Sequence, residues 1–197
     1  MLSKEVTVFK DEPYTHGYID NVLLDPSLMD YFPPEKEMRF MTGKTDTAYR
    51  HHKWHLNKSH ENFQKNLGTW KPFYEWVIGG GFKDWGKEVF DVKTADKGRM
   101  EFSSLPAKGG NLFPHTDAKL KVFVMVIFLP GYEIPFDVGP TMDGPWTPVP
   151  FKPNRAPFFL RSDDSWHKVG PSEGPEGKWR HTLTLNLVKI HRKNKLT

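Results

Sequence analysis

The sequence predicts an α+β chain that is mainly β: a jelly-roll or cupin-like barrel of antiparallel strands with N-terminal helices packed on it. From about residue 98, short β-type runs alternate with turn clusters such as AKGGN, GPTMDGP and SEGPEG. Regular short strands separated by Gly and Pro are typical of sandwiches and barrels. The preceding half holds longer charged and aromatic stretches. Because no repeat or clean linker divides the 197 residues, we expect a single domain.

The N-terminal part, about residues 1–97, is expected to be helix-rich. EVTVF predicts a short opening strand. The segment 47–70 is charged, has few breakers and predicts a helix. KPFYEWVIGGGFKDWGKEVFDV predicts two helices, or a helix and a loop, because Gly79, Gly80 and Gly81 interrupt it.

The jelly-roll core is expected over about residues 98–190, followed by a basic tail over 191–197. Strands are predicted in RMEFSSL, KVFVMVIFL, WTPVPF, APFFLRS, WHKVGP and HTLTLNLVKI. Residues 133–151 are rich in Gly and Pro and include Trp146, so they predict either a substrate lid or an ordinary surface loop. Arg99, in the first of these strands, is expected either to reach the barrel cavity or to face solvent.

The composition excludes several classes of protein. Apolar residues make up 37% and aromatic residues 14% of the chain, as in a globular protein. Cysteine is absent, which excludes disulfides and thiolate metal sites. No run approaches 18 apolar residues and the N-terminus has no signal-like apolar stretch, so we expect a soluble, cytoplasmic protein without membrane contact. The net charge of +4 is mildly basic, and the basic tail is more simply a solvated terminus than a nucleic-acid site.

A polar triplet, His115-Thr116-Asp117, stands just before the long apolar run KVFVMVIFL. On an extended chain, residues two apart face the same side, so His115 and Asp117 point together. An imidazole and a carboxylate from one strand edge supply two ligands of a 2-His-1-carboxylate iron site. The motif H-x-D by itself is weak, because a polar pair at a strand start is more often part of a turn.

The third ligand is sought among the downstream histidines. His191 lies in the polar tail. His181 alternates with leucines in WRHTLTLNLVKI, and we therefore expect it to face a hydrophobic layer. His167 follows the apolar strand APFFL and begins a new one, so the sequence favours His167.

The same alternation places four polar residues on the other face of the last strand. They are Arg180, Thr182, Thr184 and Asn186. The stripe predicts either the polar outer face of an edge strand or a polar lining of the barrel interior. In the second case, the Arg180 guanidinium can grip a carboxylate through two hydrogen bonds, and Thr182 can add its hydroxyl.

Taken together, H-T-D at 115–117, His167 and R-H-T at 180–182 resemble the 2-oxoglutarate/Fe(II)-dependent oxygenase superfamily, whose pattern is H-x-D…H…R-x-S/T on a double-stranded β-helix. The resemblance covers about residues 98–190. The nucleic-acid demethylase branch carries R-x-N-x-T-x-R, which residues 180–186 match only at Arg180 and Thr184, so a base-repair role is disfavoured. The overall layout is loosely similar to that of the prolyl-4-hydroxylases.

This resemblance implies a hydroxylase. Its metal ligands and catalytic residues would be His115, Asp117 and His167, and they would bind Fe(II). Arg180 and Thr182 would bind 2-oxoglutarate, the co-substrate consumed with O₂, with ascorbate as an assisting reductant. The products would be succinate, CO₂ and a substrate hydroxylated at an unactivated C–H bond. The resemblance implies a small-molecule or peptidyl substrate and disfavours nucleic acid, but it specifies neither the substrate nor the oligomeric state.

Two other functions stay open on sequence grounds. One is a cupin-like protein that binds a metal without oxygenase activity, either an isomerase or a small-molecule binding module. The other is a nucleic-acid or surface-binding protein that uses the basic tail and the segment YRHHKWHLNKSH. On a helix His51 and His55 would be neighbours able to bind Zn²⁺, although a basic exposed face is the simpler interpretation of residues 51–60.

Overall fold

The computed structural model of this chain describes residues 1–41 and 53–190. The helices are α1 (Lys71–Ile78) and α2 (Gly81–Phe90). The strands of the N-terminal part are β1 (Val8–Lys10), β2 (His16–Ile19), β3 (Arg39–Met41) and β4 (Lys53–Asn57). Those of the C-terminal part are β5 (Lys97–Pro106), β6 (Leu112–His115), β7 (Lys121–Phe128), β8 (Phe136–Gly139), β9 (Thr147–Val149), β10 (Ala156–Leu160), β11 (Trp166–Val169) and β12 (Trp179–Val188).

The strands form two antiparallel sheets. The larger has the order β1-β2-β10-β7-β12-β5-β4-β3, and the smaller has the order β6-β11-β8-β9. Side chains of both sheets form one apolar cluster between them, which includes Val126, Phe128, Phe136 and Val169. Two sheets packed in this way around a shared interior make the jelly roll that the sequence predicts.

The central strands β7 and β12 explain why one chain can build both a core and a polar cavity. In β7, Phe123, Met125 and Ile127 belong to the cluster beneath the helices, whereas the alternating residues belong to the cluster between the sheets. Such a strand is buried on both faces, which accounts for its continuous apolar run. In β12 the leucines join the cluster beneath the helices. Arg180, Thr182 and Thr184, which alternate with residues of the leucine face, therefore face the space between the sheets.

The two helices cover the outer face of the larger sheet, as the sequence predicts. Phe73 and Val77 of α1 and Phe82 of α2 are fully buried in the cluster on that face. The turn between the helices requires glycine. Gly80 has φ of 111°, and a Cβ on Gly81 would lie 2.0 Å from the indole nitrogen of Trp76.

The helix expected over residues 47–70 is wrong where the structure describes it. Residues 53–57 form strand β4, which pairs antiparallel with β5. Residues 64–66 and 68–70 form short 3₁₀ turns. In β4, Trp54 and Leu56 alternate with polar residues. Because β5 offers a strand edge to pair with, tertiary hydrogen bonding outweighs the helical propensity of this charged segment.

Residues 133–151, expected to be a lid or a surface loop, contain two short strands. Residues 136–139 form β8, which pairs with β11, and residues 147–149 form β9, which pairs with β8. The remaining connection carries Trp146, whose ring lies 5.1 Å from the Lys168 ammonium. The segment is therefore mainly a hairpin of the smaller sheet, and its role as a lid stays a prediction.

The part expected to be helix-rich, about residues 1–97, is mixed. It contributes β1 to β4 to the same sheet as the C-terminal strands, in addition to both helices. The assignment of residues 1–97, 98–190 and 191–197 to one domain stays a prediction, and the tail 191–197 lies outside the described residues. Within residues 1–41 and 53–190, the structure has no helix with the length and hydropathy needed to span a bilayer.

Candidate metal centre

The pairing of β6 with β11 brings the two predicted histidine ligands together. His115, the last residue of β6, is the direct cross-strand partner of His167 on β11. Their ring centroids are 4.3 Å apart. Asp117 follows β6 by two residues, and its Oδ2 lies 3.8 Å from His167 Nε2. One potential ligand atom from each of the three residues lies within 4.8 Å of the others, a spacing that a single metal ion can bridge.

Backbone carbonyls orient both imidazoles. His115 Nδ1 lies 2.7 Å from the Phe113 carbonyl, and His167 Nδ1 lies 3.0 Å from the Ser165 carbonyl. Because a carbonyl only accepts hydrogen bonds, Nδ1 must carry the proton in both rings. Nε2 is then the nitrogen that can donate to a metal, as is usual for metal-binding histidines.

Two basic residues hold Asp117. Lys121 Nζ lies 2.6 Å from Asp117 Oδ1, which leaves Oδ2 on the side of the histidines. Arg161 Nε donates to the Asp117 backbone carbonyl at 3.0 Å. These contacts fix the carboxylate and the chain that carries it, so the ligand cluster is ordered before any metal binds.

The cluster is largely enclosed, and burial together with the neighbouring charges determines its charge states. Burial and the neighbouring His167 lower the pKa of His115 to about 3, although Asp117 opposes the shift. Burial alone would raise the pKa of Asp117, but Lys121 and the two histidines lower it well below its usual range. At neutral pH, His115 is therefore neutral and Asp117 ionised, which is the state that binds a divalent cation.

Arg180 lies buried in the same cavity, at the start of β12, and is 3% exposed. Its Nε donates to the Ile134 carbonyl at 3.0 Å, and its guanidinium carbon lies 5.0 Å from the centre of the Phe128 ring. Among the described residues, its buried Nη2 has no hydrogen-bond partner. Burial lowers the pKa of Arg180 to about 9, so the group is still a cation at neutral pH. A buried cation without an anion is costly, and an incoming carboxylate would supply the missing partner.

The predicted polar stripe on β12 lines the cavity. Thr182 and Thr184 face it together with Arg180, and Thr182 Oγ1 donates to the Ser103 carbonyl at 3.4 Å. β12 lies between β7 and β5, so the alternative of an edge strand with a solvent-facing polar side is wrong. The residues thus fit a metal bound by two histidines and a carboxylate, with a carboxylate-bearing ligand reaching from it to Arg180. Which residues bind which group stays a prediction.

The remaining histidines have other partners. His181 stacks on Phe32 at 4.0 Å and contacts Glu35 Oε1 at 2.7 Å, so it lies on the face away from the cavity. His55 lies on β4, where its Nδ1 is 3.2 Å from Glu101 Oε2. The helical pairing of His55 with His51 is therefore wrong for His55, and His51 lies outside the described residues.

Sequence reasoning missed the residues that support the ligands. Lys121 was not distinguished from the other lysines around it, although its position four residues after Asp117, at the first residue of a buried strand, was a usable signal. Arg161 follows the strand APFFL directly, where a basic residue is ordinarily solvent-facing. Glu101 was also missed: it is held by Lys53 at 2.8 Å and by Asn57 Nδ2 at 2.9 Å.

No protein-family model matches this sequence, and no curated protein matches it. Solved structures do. A prolyl-4-hydroxylase from Pseudomonas putida aligns with a TM-score of 0.57 at 14% identity over 88% of this chain and 92% of its own. A prolyl hydroxylase from Trichoplax adhaerens, solved with a hypoxia inducible factor peptide fragment, aligns with a TM-score of 0.58 at 12% identity over 88% and 83%.

A viral collagen prolyl hydroxylase from Paramecium Bursaria Chlorella virus-1, solved as a 2-oxoglutarate complex, aligns with a TM-score of 0.51 at 11% identity over 88% of this chain and 96% of its own. At such low identities the similarity concerns the fold. The jelly-roll fold predicted from the sequence is confirmed, and this chain shares it with the prolyl hydroxylases.

Proposed function

We propose that this protein is a 2-oxoglutarate- and Fe(II)-dependent oxygenase that hydroxylates an unactivated C–H bond. The observation that carries the proposal is the pairing of His115, Asp117 and His167 in one cavity with a buried guanidinium that has no hydrogen-bond partner for Nη2 among the described residues. The fold shared with a prolyl hydroxylase that was solved as a 2-oxoglutarate complex supports the same conclusion.

In this proposal, Fe(II), O₂ and 2-oxoglutarate supply the oxidising chemistry, with succinate, CO₂ and a hydroxylated substrate as products and with ascorbate as an assisting reductant. The protein supplies orientation and a shielded cavity. His115 and His167 would hold the metal through Nε2, and Asp117 would hold it through Oδ2 while Lys121 contacts Oδ1. A site with only three protein ligands would leave room for small molecules to bind the metal.

Arg180 would bind the distal carboxylate of 2-oxoglutarate through its Nη atoms, and Thr182 would support that carboxylate with its hydroxyl. The Arg180 side chain is held by the Ile134 carbonyl and lies against the Phe128 ring, so its orientation is fixed beforehand. Fixing a charged donor in advance lowers the entropic cost of binding. The apolar residues Val124, Val126 and Phe136 line the same cavity and limit the access of water to the reacting atoms.

A metal-binding barrel without oxygenase activity is the alternative. Such a protein would need the three ligands but would gain nothing from a buried guanidinium, whose desolvation destabilises the fold. Arg180 therefore favours the oxygenase.

The test is turnover of 2-oxoglutarate by the purified protein with Fe(II) and ascorbate, followed as succinate or CO₂ released. Slow turnover is expected even without a prime substrate. Asp117→Ala should abolish it by removing a ligand, whereas Arg180→Met should mainly raise the 2-oxoglutarate concentration required. Asp91→Ala, which removes an exposed carboxylate paired with Lys93, is the control and should turn over normally. Equal turnover in Asp117→Ala and the unsubstituted protein would contradict the assignment.

A further inference from the structure

A second cavity, of about 430 Å³, adjoins the metal-ligand cavity. The two cavities share Lys53, Lys121 and Thr184 as walls. Arg180 lines only the first cavity and Asn186 lines only the second. Because β12 runs from Arg180 through Thr184 to Asn186, the second cavity lies further along this strand than the guanidinium. The shared residue Lys121 contacts Asp117, so a molecule bound in the second cavity would lie next to the ligand cluster.

The second cavity is strongly cationic. Of its basic residues, Lys53 is paired with Glu101 and Lys121 with Asp117. The others are Lys58, Lys97 and Arg99, and none of them has a carboxylate within ion-pair distance in the part of the chain that the structure describes. Unbalanced positive charge in a concave site raises the local concentration of anions and favours their binding.

The cavity also contains a buried acceptor without a donor. Asn186 is 7% exposed, and its Oδ1 has no hydrogen-bond partner within residues 1–41 and 53–190. A buried amide oxygen that lacks a donor is destabilising and uncommon. A ligand with an N–H or O–H group in this cavity would satisfy it. Asn186 was assigned to the polar face of β12 from the sequence, but its position pointed to no specific role.

We propose that the second cavity is the prime-substrate site and that the substrate is a small anion with a carboxylate or phosphate group and a nearby N–H or O–H donor. The inference rests on the proposed oxygenase function, which gives the neighbouring metal its role. Lys97 and Arg99 bind the anionic group, and Asn186 accepts from the donor. A volume of about 430 Å³ is within the usual range for metabolite-sized ligands.

The test is calorimetric binding under anaerobic conditions, with Fe(II) and saturating 2-oxoglutarate, so that the Arg180 site is filled and the co-substrate is not consumed. The anionic probes are L-lactate and glycerol 3-phosphate, and their neutral counterparts are L-lactamide and glycerol. All four carry a hydroxyl donor, and neither neutral counterpart carries a carboxylate or phosphate group. We expect at least one anionic probe to bind about tenfold more tightly than its neutral counterpart, because Lys97 and Arg99 both attract its additional negative charge. Preference for lactate or for glycerol 3-phosphate distinguishes a carboxylate from a phosphate substrate.

Charge-neutralising variants locate the site. The double variant Lys97→Gln/Arg99→Gln should weaken binding of the anionic probe about tenfold and leave its neutral counterpart unaffected. Asn186→Leu should weaken both members of the pair by the same factor, since both carry the donor. Lys108→Gln, which removes an exposed cation paired with Glu176, is the control and should bind like the unsubstituted protein.

Several results would overturn the inference. They are the absence of binding by all four probes at millimolar concentration, equal affinity within each pair, and unchanged probe affinity in the double variant. If the double variant loses affinity only for 2-oxoglutarate, its cations serve an access route for the co-substrate, which also overturns the inference. Succinate formation without probes is measured on the same unsubstituted protein. Its absence counts against the oxygenase function, whereas normal formation without probe binding counts against this inference alone.

Discussion

Arg180 should destabilise the protein whenever its cavity holds no anion. Burial lowers the pKa of Arg180 from 12.5 to about 9. Each pKa unit corresponds to about 1.4 kcal/mol, so burying the charged guanidinium costs on the order of 5 kcal/mol. Replacing Arg180 with Met removes this cost and keeps an elongated side chain in place.

The replacement also has two costs. The Ile134 carbonyl loses the Nε donor, which costs about 1–3 kcal/mol. The contact of the cation with the Phe128 ring is lost, which costs about 1–2 kcal/mol. We therefore expect Arg180→Met to increase the free energy of unfolding of the ligand-free protein by on the order of 1–2 kcal/mol, as often occurs when a buried charged group is replaced by an apolar one.

Arg155→Met is the matched control, since Arg155 is already paired. Its Nε and Nη2 lie 2.7 and 3.0 Å from the two carboxylate oxygens of Asp20. Losing this bidentate pair should lower the free energy of unfolding by about 1–3 kcal/mol. Two arginine-to-methionine substitutions in one protein are thus expected to have opposite signs.

The assay is urea unfolding at pH 7.5 with and without 2-oxoglutarate, in the presence of Mn²⁺ to occupy the ligands. A ligand at a hundredfold excess over its Kd stabilises the native state by about 2.7 kcal/mol. The unsubstituted protein and Arg155→Met should show this increment, and Arg180→Met should lose most of it. The reasoning is refuted if Arg180→Met destabilises the ligand-free protein as much as Arg155→Met does, or if it keeps the full increment.

Three further predictions concern charge in the two cavities. Lys121→Met removes the ion pair that holds Asp117, and calorimetry should show Mn²⁺ affinity reduced about 10- to 100-fold; unchanged affinity would exclude a supporting role for the lysine. Because the pKa of His115 is about 3 in the folded protein and near 6.5 when unfolded, only the unfolded chain takes up this proton between those values. His115 should therefore lower the free energy of unfolding of the metal-free protein by about 1.4 kcal/mol for each unit that pH drops from 6.5 towards 3, in addition to the contributions of other groups such as Asp117; an equal slope in His115→Leu would contradict this. Lys53→Met should lower the free energy of unfolding by about 1–3 kcal/mol because it leaves Glu101 without its closest cation. Adding Glu101→Leu should recover part of this loss. If the effects of the two substitutions on the free energy of unfolding simply add, the pair is not coupled.

The barrel and the proximity of His115, Asp117 and His167 could be predicted from the sequence because both predictions use short-range patterns. Strand alternation separates His181 from Arg180 by face, and the structure places the two residues on opposite faces of β12. The i, i+2 rule aligned His115 with Asp117. The choice of His167 depended on its place at the start of a strand, where β11 pairs with β6.

The features that the sequence does not predict depend on pairings between distant segments of the chain. The polar residues of β4 alternate as a strand requires, but the segment is charged and shows its strand character only beside β5. The same pairing brings Lys53 and Asn57 to Glu101, which sequence periodicity does not predict. The second cavity is likewise lined by residues from five separate parts of the chain, so no local sequence pattern predicts it.

The cross-strand position of His115 and His167 has a mechanical consequence. β6 and β11 are four residues each, and the register between them shifts after His167. Two such short strands have few ladder hydrogen bonds to resist sliding or fraying. A metal ion bound by His115 on β6 and by His167 on β11 would cross-link the two strands. Loss of the ion should then loosen one wall of the jelly roll while the eight-stranded wall stays intact, and amide exchange in β6 and β11 would report the difference.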